Sequence, residues 1–275
     1  MKLRIARTTK ALVLKAAAAG VLAACGAASA QDDLRGFQLD GGYQLFLQGR
    51  EAPGSQLYLS RTAGAFLVIA DDLPSPVLVS LRNQAIYKVQ LLKISPAGED
   101  TLDLLPGALF GTPAPFRQTS ARGVEFTVDD VRAQLRRRPS LAGEATLEVL
   151  YDHEPGYRRS ANAYETDAAV VAELAELGAG VEVRVVFGTW CHVCERFMPR
   201  GLKVHEELQE SPLRFSYYGM GDDDPWSDAE VKRLDVKELP TAIVYRDGKE
   251  IGRYAGGPGW TRPEVSLRNI LRENP

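Results

Sequence analysis

The stretch Val181-Glu182-Val183-Arg184-Val185-Val186-Phe187-Gly188-Thr189-Trp190-Cys191-His192-Val193-Cys194 decides the reading of the second half of this 275-residue chain. The run Val181 to Phe187 reads as a strand, and Cys191 opens a segment of helical periodicity that extends to about Glu207. A Cys-x-x-Cys pair at a helix start puts the first sulfur where unpaired backbone N–H groups and the helix dipole stabilise a thiolate. The second sulfur sits one turn on, close enough to close a disulfide. That placement makes Cys191 and Cys194 a redox switch. Half of a zinc site is the competing reading, but a tetrahedral site needs four ligands and the chain has no second cysteine pair to supply them.

Working outward, a polar stretch, residues 153–166, reads as a linker, and His153 within it as a lone histidine. The domain over residues 167–275 begins with a helix capped by Thr166 or Asp167, with Val170, Val171, Leu174 and Leu177 on one face and Gly178 at its end. After the redox helix, in which Pro199 predicts a kink, Leu213 to Tyr218 is a strand. An acidic loop, Asp222-Asp223-Asp224-Pro225-Trp226, follows it. Ser227 and Glu230 form a capping-box signature for a short helix. Thr241 to Tyr245 and Ile251 to Tyr254 make a hairpin across Asp247-Gly248, and Thr261, Pro263 and Glu264 start a closing helix. The element order is αβαβαββα.

On these residues, the segment from about 165 to 275 resembles the thioredoxin-fold thiol–disulfide oxidoreductase family, over about two fifths of the chain. Besides Trp190 and the cysteine pair, four features carry the likeness. Pro199 stands where thioredoxins have their helix-kinking proline. Leu239-Pro240-Thr241 matches the loop whose proline is cis in the family, Asp247-Gly248-Lys249 matches the hairpin turn, and Gly256 matches the glycine lining the substrate groove. The resemblance implies an α/β thioredoxin-like domain in which Cys191 attacks a disulfide and Cys194 resolves the mixed intermediate. It also implies that an incoming peptide pairs along Leu239, Pro240, Thr241 and Gly256, and that Trp190 shields the switch. The partners implied are protein thiols or disulfides together with an external redox partner, with neither cofactor nor metal. Relatives with this fold span roughly −270 to −120 mV, and the reading favours a reductase over an oxidant. The alternatives are a binding module whose disulfide only clips a helix, and a metal chaperone using the cysteines with His192 or His205.

Two positions depart from the family pattern. Many thioredoxins carry a buried acid six residues before the first cysteine, where this chain has Val185. Between the cysteines stand His192-Val193 instead of Gly-Pro, and a protonated His192 beside the thiolate would make the disulfide more oxidising.

The chain's first 30 residues carry Lys2, Arg4, Arg7, Lys10 and Lys15, then the apolar run Ala16 to Ala24 and the Ala28-Ser29-Ala30 end of an export signal. The run is well short of the roughly 20 residues that span a bilayer. Leu22-Ala23-Ala24-Cys25 resembles a bacterial lipobox, so Cys25 is either acylated or discarded with the leader. The expected location is exported and periplasmic, with any membrane attachment only through lipid on Cys25. Removing the leader's five basic residues leaves 28 basic against 36 acidic, a formal charge of about −8 that argues against nucleic acid.

Residues 31–152 read as a small β-rich domain, a sandwich or open barrel, with strands at Tyr43 to Leu47, Gln56 to Ser60, Ala65 to Ala70, Pro76 to Leu81, Ala85 to Ile94, Val124 to Val128 and Ala145 to Tyr151. One short helix is expected among them, capped by Thr127 with Asp130 three residues on, ending at Arg136-Arg137-Arg138 and stopped by Pro139. No residue of this domain carries recognisable chemistry.

Overall fold

The computed structural model describes residues 34–119 and 123–275. The leader and lipobox expected over residues 1–30, Cys25 included, lie outside the described residues.

Among the described residues, thirteen short strands build the β-rich domain: β1 (Phe37–Leu39), β2 (Tyr43–Leu47), β3 (Arg50–Glu51), β4 (Gln56–Ser60), β5 (Ala65–Ile69), β6 (Val77–Ser80), β7 (Ala85–Val89), β8 (Ile94–Gly98), β9 (Thr101–Leu104), β10 (Leu109–Pro115), β11 (Arg117–Gln118), β12 (Val124–Val128) and β13 (Val131–Arg137). They form an antiparallel sheet of order β10-β7-β6-β5-β4-β1-β9-β8 and a second of order β11-β12-β13-β2-β3. The larger sheet is apolar on both faces. Phe66, Val68, Val77 and Val79 pack with Leu45, Phe126 and Leu135 of the smaller sheet, while Leu67 and Leu78 join Phe37, Val89 and Leu104 on the opposite side. The large sheet is curled into a half-barrel. Burial on both sides explains why β5 and β6 read as unbroken apolar runs.

The helix expected after Thr127 is a hairpin. Val124, Phe126 and Val128 alternate into the core on β12, Ala133 and Leu135 do so on β13, and Asp129, at φ 51°, turns the chain. Period-two burial against the large sheet outweighs the capping-like pair Thr127 and Asp130. Of the three arginines, Arg136 lies over the Phe46 ring at 4.0 Å instead of ending a helix.

A second difference moves the start of the second domain. The stretch Ala145 to Tyr151, read as a strand, and the linker of residues 153–166 form β14 (Gly143–Ala145), α1 (Leu147–His153) and α2 (Pro155–Asn162). The Thr146 side chain caps α1, accepting from Val149 N–H at 3.3 Å, and Pro155 occupies the first turn of α2, where no N–H partner is needed. Leu147, Leu150, Tyr151, Tyr157 and Ala161 share one core with the redox helix and its sheet. His153 is buried, its Nε2 3.0 Å from the Pro139 carbonyl oxygen.

Next come α3 (Ala168–Leu177), β15 (Val181–Phe187), α4 (His192–Glu207), β16 (Arg214–Gly219), α5 (Ala229–Arg233), β17 (Thr241–Arg246), β18 (Lys249–Ala255), α6 (Gly256–Gly259) and α7 (Pro263–Glu273). The sheet order is β14-β16-β15-β17-β18; β15 runs parallel to β16 and antiparallel to β17. Asp167 caps α3 through Oδ1, accepting from the N–H groups of Ala169 and Val170. Asp247 and Gly248 both have positive φ, as a two-residue hairpin turn requires. Two caps differ from the sequence reading. Asp228, not Ser227, accepts from the first N–H groups of α5. The hydroxyl of Thr261 donates to Gly257 O, while Glu264 is wholly buried and receives the Tyr164 hydroxyl at 2.9 Å and Arg262 Nε at 3.1 Å. Among the described residues no helix is long and apolar enough to cross a membrane.

Candidate active site

Strand β15 ends at Phe187, and the chain turns at Gly188 so that Cys191 becomes the N-cap of α4. Cys191 N–H donates to Gly188 O at 3.1 Å, its carbonyl starts the helix by accepting from Glu195 N–H at 2.9 Å, and its sulfur accepts from Cys194 N–H at 3.4 Å. Both cysteines are free thiols. Cys191 is half-buried at the surface and Cys194 is wholly buried.

Their surroundings divide the labour. A hydrogen bond from the Cys194 thiol, the first cause, lowers the Cys191 pKa to about 6, helped against burial by the N–H groups of Cys194 and Val193. Burial, and then the bond it donates to Cys191, holds Cys194 far above the ordinary thiol range. At neutral pH the outer sulfur is a thiolate and the inner one a thiol, which suits a nucleophile and its resolving partner.

Trp190 is half-buried beside the pair, its indole N–H shared between Met220 O at 2.9 Å and Gly221 O at 3.1 Å at the end of β16. Gly188 makes room for it, since a Cβ there would lie 2.8 Å from the indole ring. The His192 side chain is 97 % exposed, its Nδ1 3.6 Å from Glu195 Oε2, so water screens its charge; it is the last of the causes acting on Cys191.

The Leu239–Pro240 bond is cis, and Leu239, Pro240 and Thr241 are buried. Thr241 pairs with Val186 near the end of β15, which brings this loop to the same end of the sheet as Cys191. Gly256, at φ 61°, donates its N–H to Pro240 O at 3.0 Å, so the groove glycine and the loop are joined directly. Pro199 lies inside α4.

Val185 is buried, so an apolar side chain fills the position where many thioredoxins carry an acid. The group that structure adds near the thiols is Tyr157 of α2. It is 3 % exposed, and its phenol is pushed well above the usual range by burial first, then by its electrostatic interactions with Cys194, Glu154 and Cys191 in that order. The sequence reading places Tyr157 in the linker of residues 153–166, where no motif marks it. His205, one arm of the metal alternative, has its Nδ1 2.8 Å from the Tyr217 hydroxyl and stacks on Phe215. Among the described residues no three His, Cys, Asp or Glu side chains stand together as metal ligands.

A five-stranded sheet packed against a helix capped by its own reactive cysteine, with a cis-proline loop at the same sheet end, defines a dithiol protein of thioredoxin fold. No protein-family model matches the chain. Over 82 residues it is 33 % identical to thioredoxin-2 of Saccharomyces cerevisiae, spanning 29 % of this chain and 73 % of that protein. Among solved structures, it is similar to Fasciola hepatica thioredoxin (22 % identity, 39 % of this chain and 94 % of that one, TM-score 0.26). It is also similar to Aeropyrum pernix thioredoxin (21 % identity, 36 % and 82 %, TM-score 0.27). The chain belongs to the thioredoxin family through its C-terminal domain, with a β-rich domain ahead of it.

Proposed function

We propose that this protein is an exported thiol–disulfide oxidoreductase that works as a reductase on protein disulfides. The observation that carries the reading is the division of labour between the two sulfurs: Cys191 is accessible with its pKa lowered to about 6, and Cys194 is buried behind it as a thiol. Cys191 thiolate attacks a substrate disulfide and forms the mixed disulfide; the first substrate thiolate leaves. Cys194 then gives up its proton and displaces the second, closing the Cys191–Cys194 bond. An external dithiol regenerates the pair. A thiol pKa near 6 stands closer to the roughly 7 of thioredoxin than to the roughly 3.5 of a strong oxidant, which supports the reducing direction.

The peptide flanking the target disulfide pairs along the Leu239-Pro240-Thr241 loop beside Gly256. The basic and apolar leader supports export to the periplasm, and Cys25 is the point of any lipid anchor; mass spectrometry of the mature N-terminus distinguishes a lipidated Cys25 from cleavage after Ala30. Cys191→Ser is expected to abolish insulin-disulfide reduction, and Cys194→Ser to accumulate mixed disulfides on Cys191. Retention of reductase activity by Cys191→Ser would overturn the mechanism.

A further inference from the structure

Between the two domains lies a cleft of about 670 Å³, which runs from the β1 and β4 end of the half-barrel to α2 and the start of α4. His192, the residue after the nucleophile, lines it. Its volume falls within the roughly 300–1,000 Å³ of small-ligand sites. Its walls carry charges of both signs: the guanidinium groups of Arg61, Arg159 and Arg196, and the carboxyl groups of Asp40, Glu154 and Glu195.

Several of these groups are incompletely satisfied. Tyr157, 3 % exposed, also lines the cleft. Arg159 donates one hydrogen bond to Leu39 O at 3.2 Å, but its buried Nη1 has no acceptor and stands 4.0 Å from Asp100. Asp40 accepts one bond, from Gly42 N–H at 3.1 Å. The pair Arg61–Glu195, 3.3 Å apart across the domains, is exposed on both sides, at 85 % and 56 %. Such a screened pair contributes little to stability, so a ligand offering both charges can replace it. The buried Arg159 Nη1 without an acceptor favours an occupant that supplies one.

We propose that this cleft binds a small zwitterionic disulfide, two amino acids or short peptides joined through sulfur and bearing free ammonium and carboxylate groups, and presents its S–S bond to Cys191. The inference rests on the exchange reading above and adds a low-molecular-weight substrate class to it. The carboxylates meet the guanidinium groups, and the ammonium groups meet Asp40 and Glu154. In the first step the Cys191 thiolate bonds to one ligand sulfur, and the other leaves as a thiolate that takes a proton from water. Cys194 then loses its proton, bonds to the Cys191 sulfur and releases the second ligand thiolate, which is protonated in turn. The reduced protein loses two electrons and the ligand gains them.

The test mixes the fully reduced protein with cystine or with the neutral 2-hydroxyethyl disulfide and follows formation of the Cys191–Cys194 bond. Each rate is divided by that of the same disulfide with free dithiothreitol, which removes differences in leaving-group reactivity. The expected normalised preference for cystine is at least about tenfold, and Ser160→Trp, which fills the cleft from an exposed position on α2, is expected to bring it to about one. A second measurement needs no variant. Lanthionine, the thioether with the same charged ends and no S–S bond, is expected to shift the backbone amide signals of Tyr157, Ser160 and Arg196 in the wild-type protein. A normalised preference near one, or a lanthionine titration that leaves those signals in place, would overturn the cleft assignment while the exchange reading stands. If neither disulfide oxidises the pair, the exchange reading itself falls and the cleft proposal with it.

Discussion

Cys191 is held as a thiolate by a neighbour that must itself stay protonated, so the two titrations are opposed and the pH dependence has a definite sign. A thiol whose pKa falls from 9.0 to about 6 on folding stabilises the reduced fold fully above pH 9, and that stabilisation is gone once the pH falls through about 6. Iodoacetamide labelling of Cys191 is therefore expected to rise with a midpoint near pH 6, while Cys194 stays unlabelled across the neutral range. In Cys194→Ala, loss of the thiol donor is expected to raise the Cys191 midpoint by about one pH unit, the equivalent of one hydrogen bond. His192→Ala is expected to move it by less than about half a unit, because a 97 % exposed imidazole acts through water. A larger shift on mass-spectrometric labelling would restore His192 as the residue that sets the potential.

The elements before the redox helix decide more of the architecture than their composition suggests. Leu150 is fully buried in the thioredoxin-domain core, although it lies ahead of the family match. Leu150→Ala is expected to cost about 2–5 kcal/mol in denaturant unfolding, against about 0.5 kcal/mol or less for a change at an exposed position. The β1–β2 turn docks on the end of α1: a Cβ on Gly41 would lie 1.9 Å from the His153 carbonyl oxygen, too close for any rotamer to relieve. Gly41→Ala is expected to lower the thermal midpoint through a loss of about 1–3 kcal/mol at that contact. An unchanged midpoint would show that the domains do not meet there in solution.

At the scale of the whole molecule, two cores are joined by a short, tethered crossing and by a polar cleft. Arg138 Nη1 donates to Asp152 O at 3.1 Å, and Leu141 N–H donates to Thr189 Oγ1 at 3.3 Å, so the connection itself is held to the second domain. The apolar clusters of the two domains nevertheless remain separate. Calorimetry is therefore expected to show two cooperative units, with a calorimetric enthalpy exceeding the van't Hoff value; equality of the two would mean that the cleft couples the cores into one. What the sequence determined by itself was everything written in short windows: the strand before Trp190, the cysteine pair at a helix start, the Asp247-Gly248 turn and the Asp167 cap. Each of these depends on backbone groups a few residues apart. Tertiary structure decided the rest. Thr127 to Arg137 became a hairpin because one face could be buried against a distant sheet, and residues 143–162 became part of the second domain because Leu147, Leu150 and Tyr157 found their apolar partners there. The cleft joins Arg61 to Glu195, 134 positions apart. No local pattern specifies such a contact, since its energy exists only once both domains have folded and met.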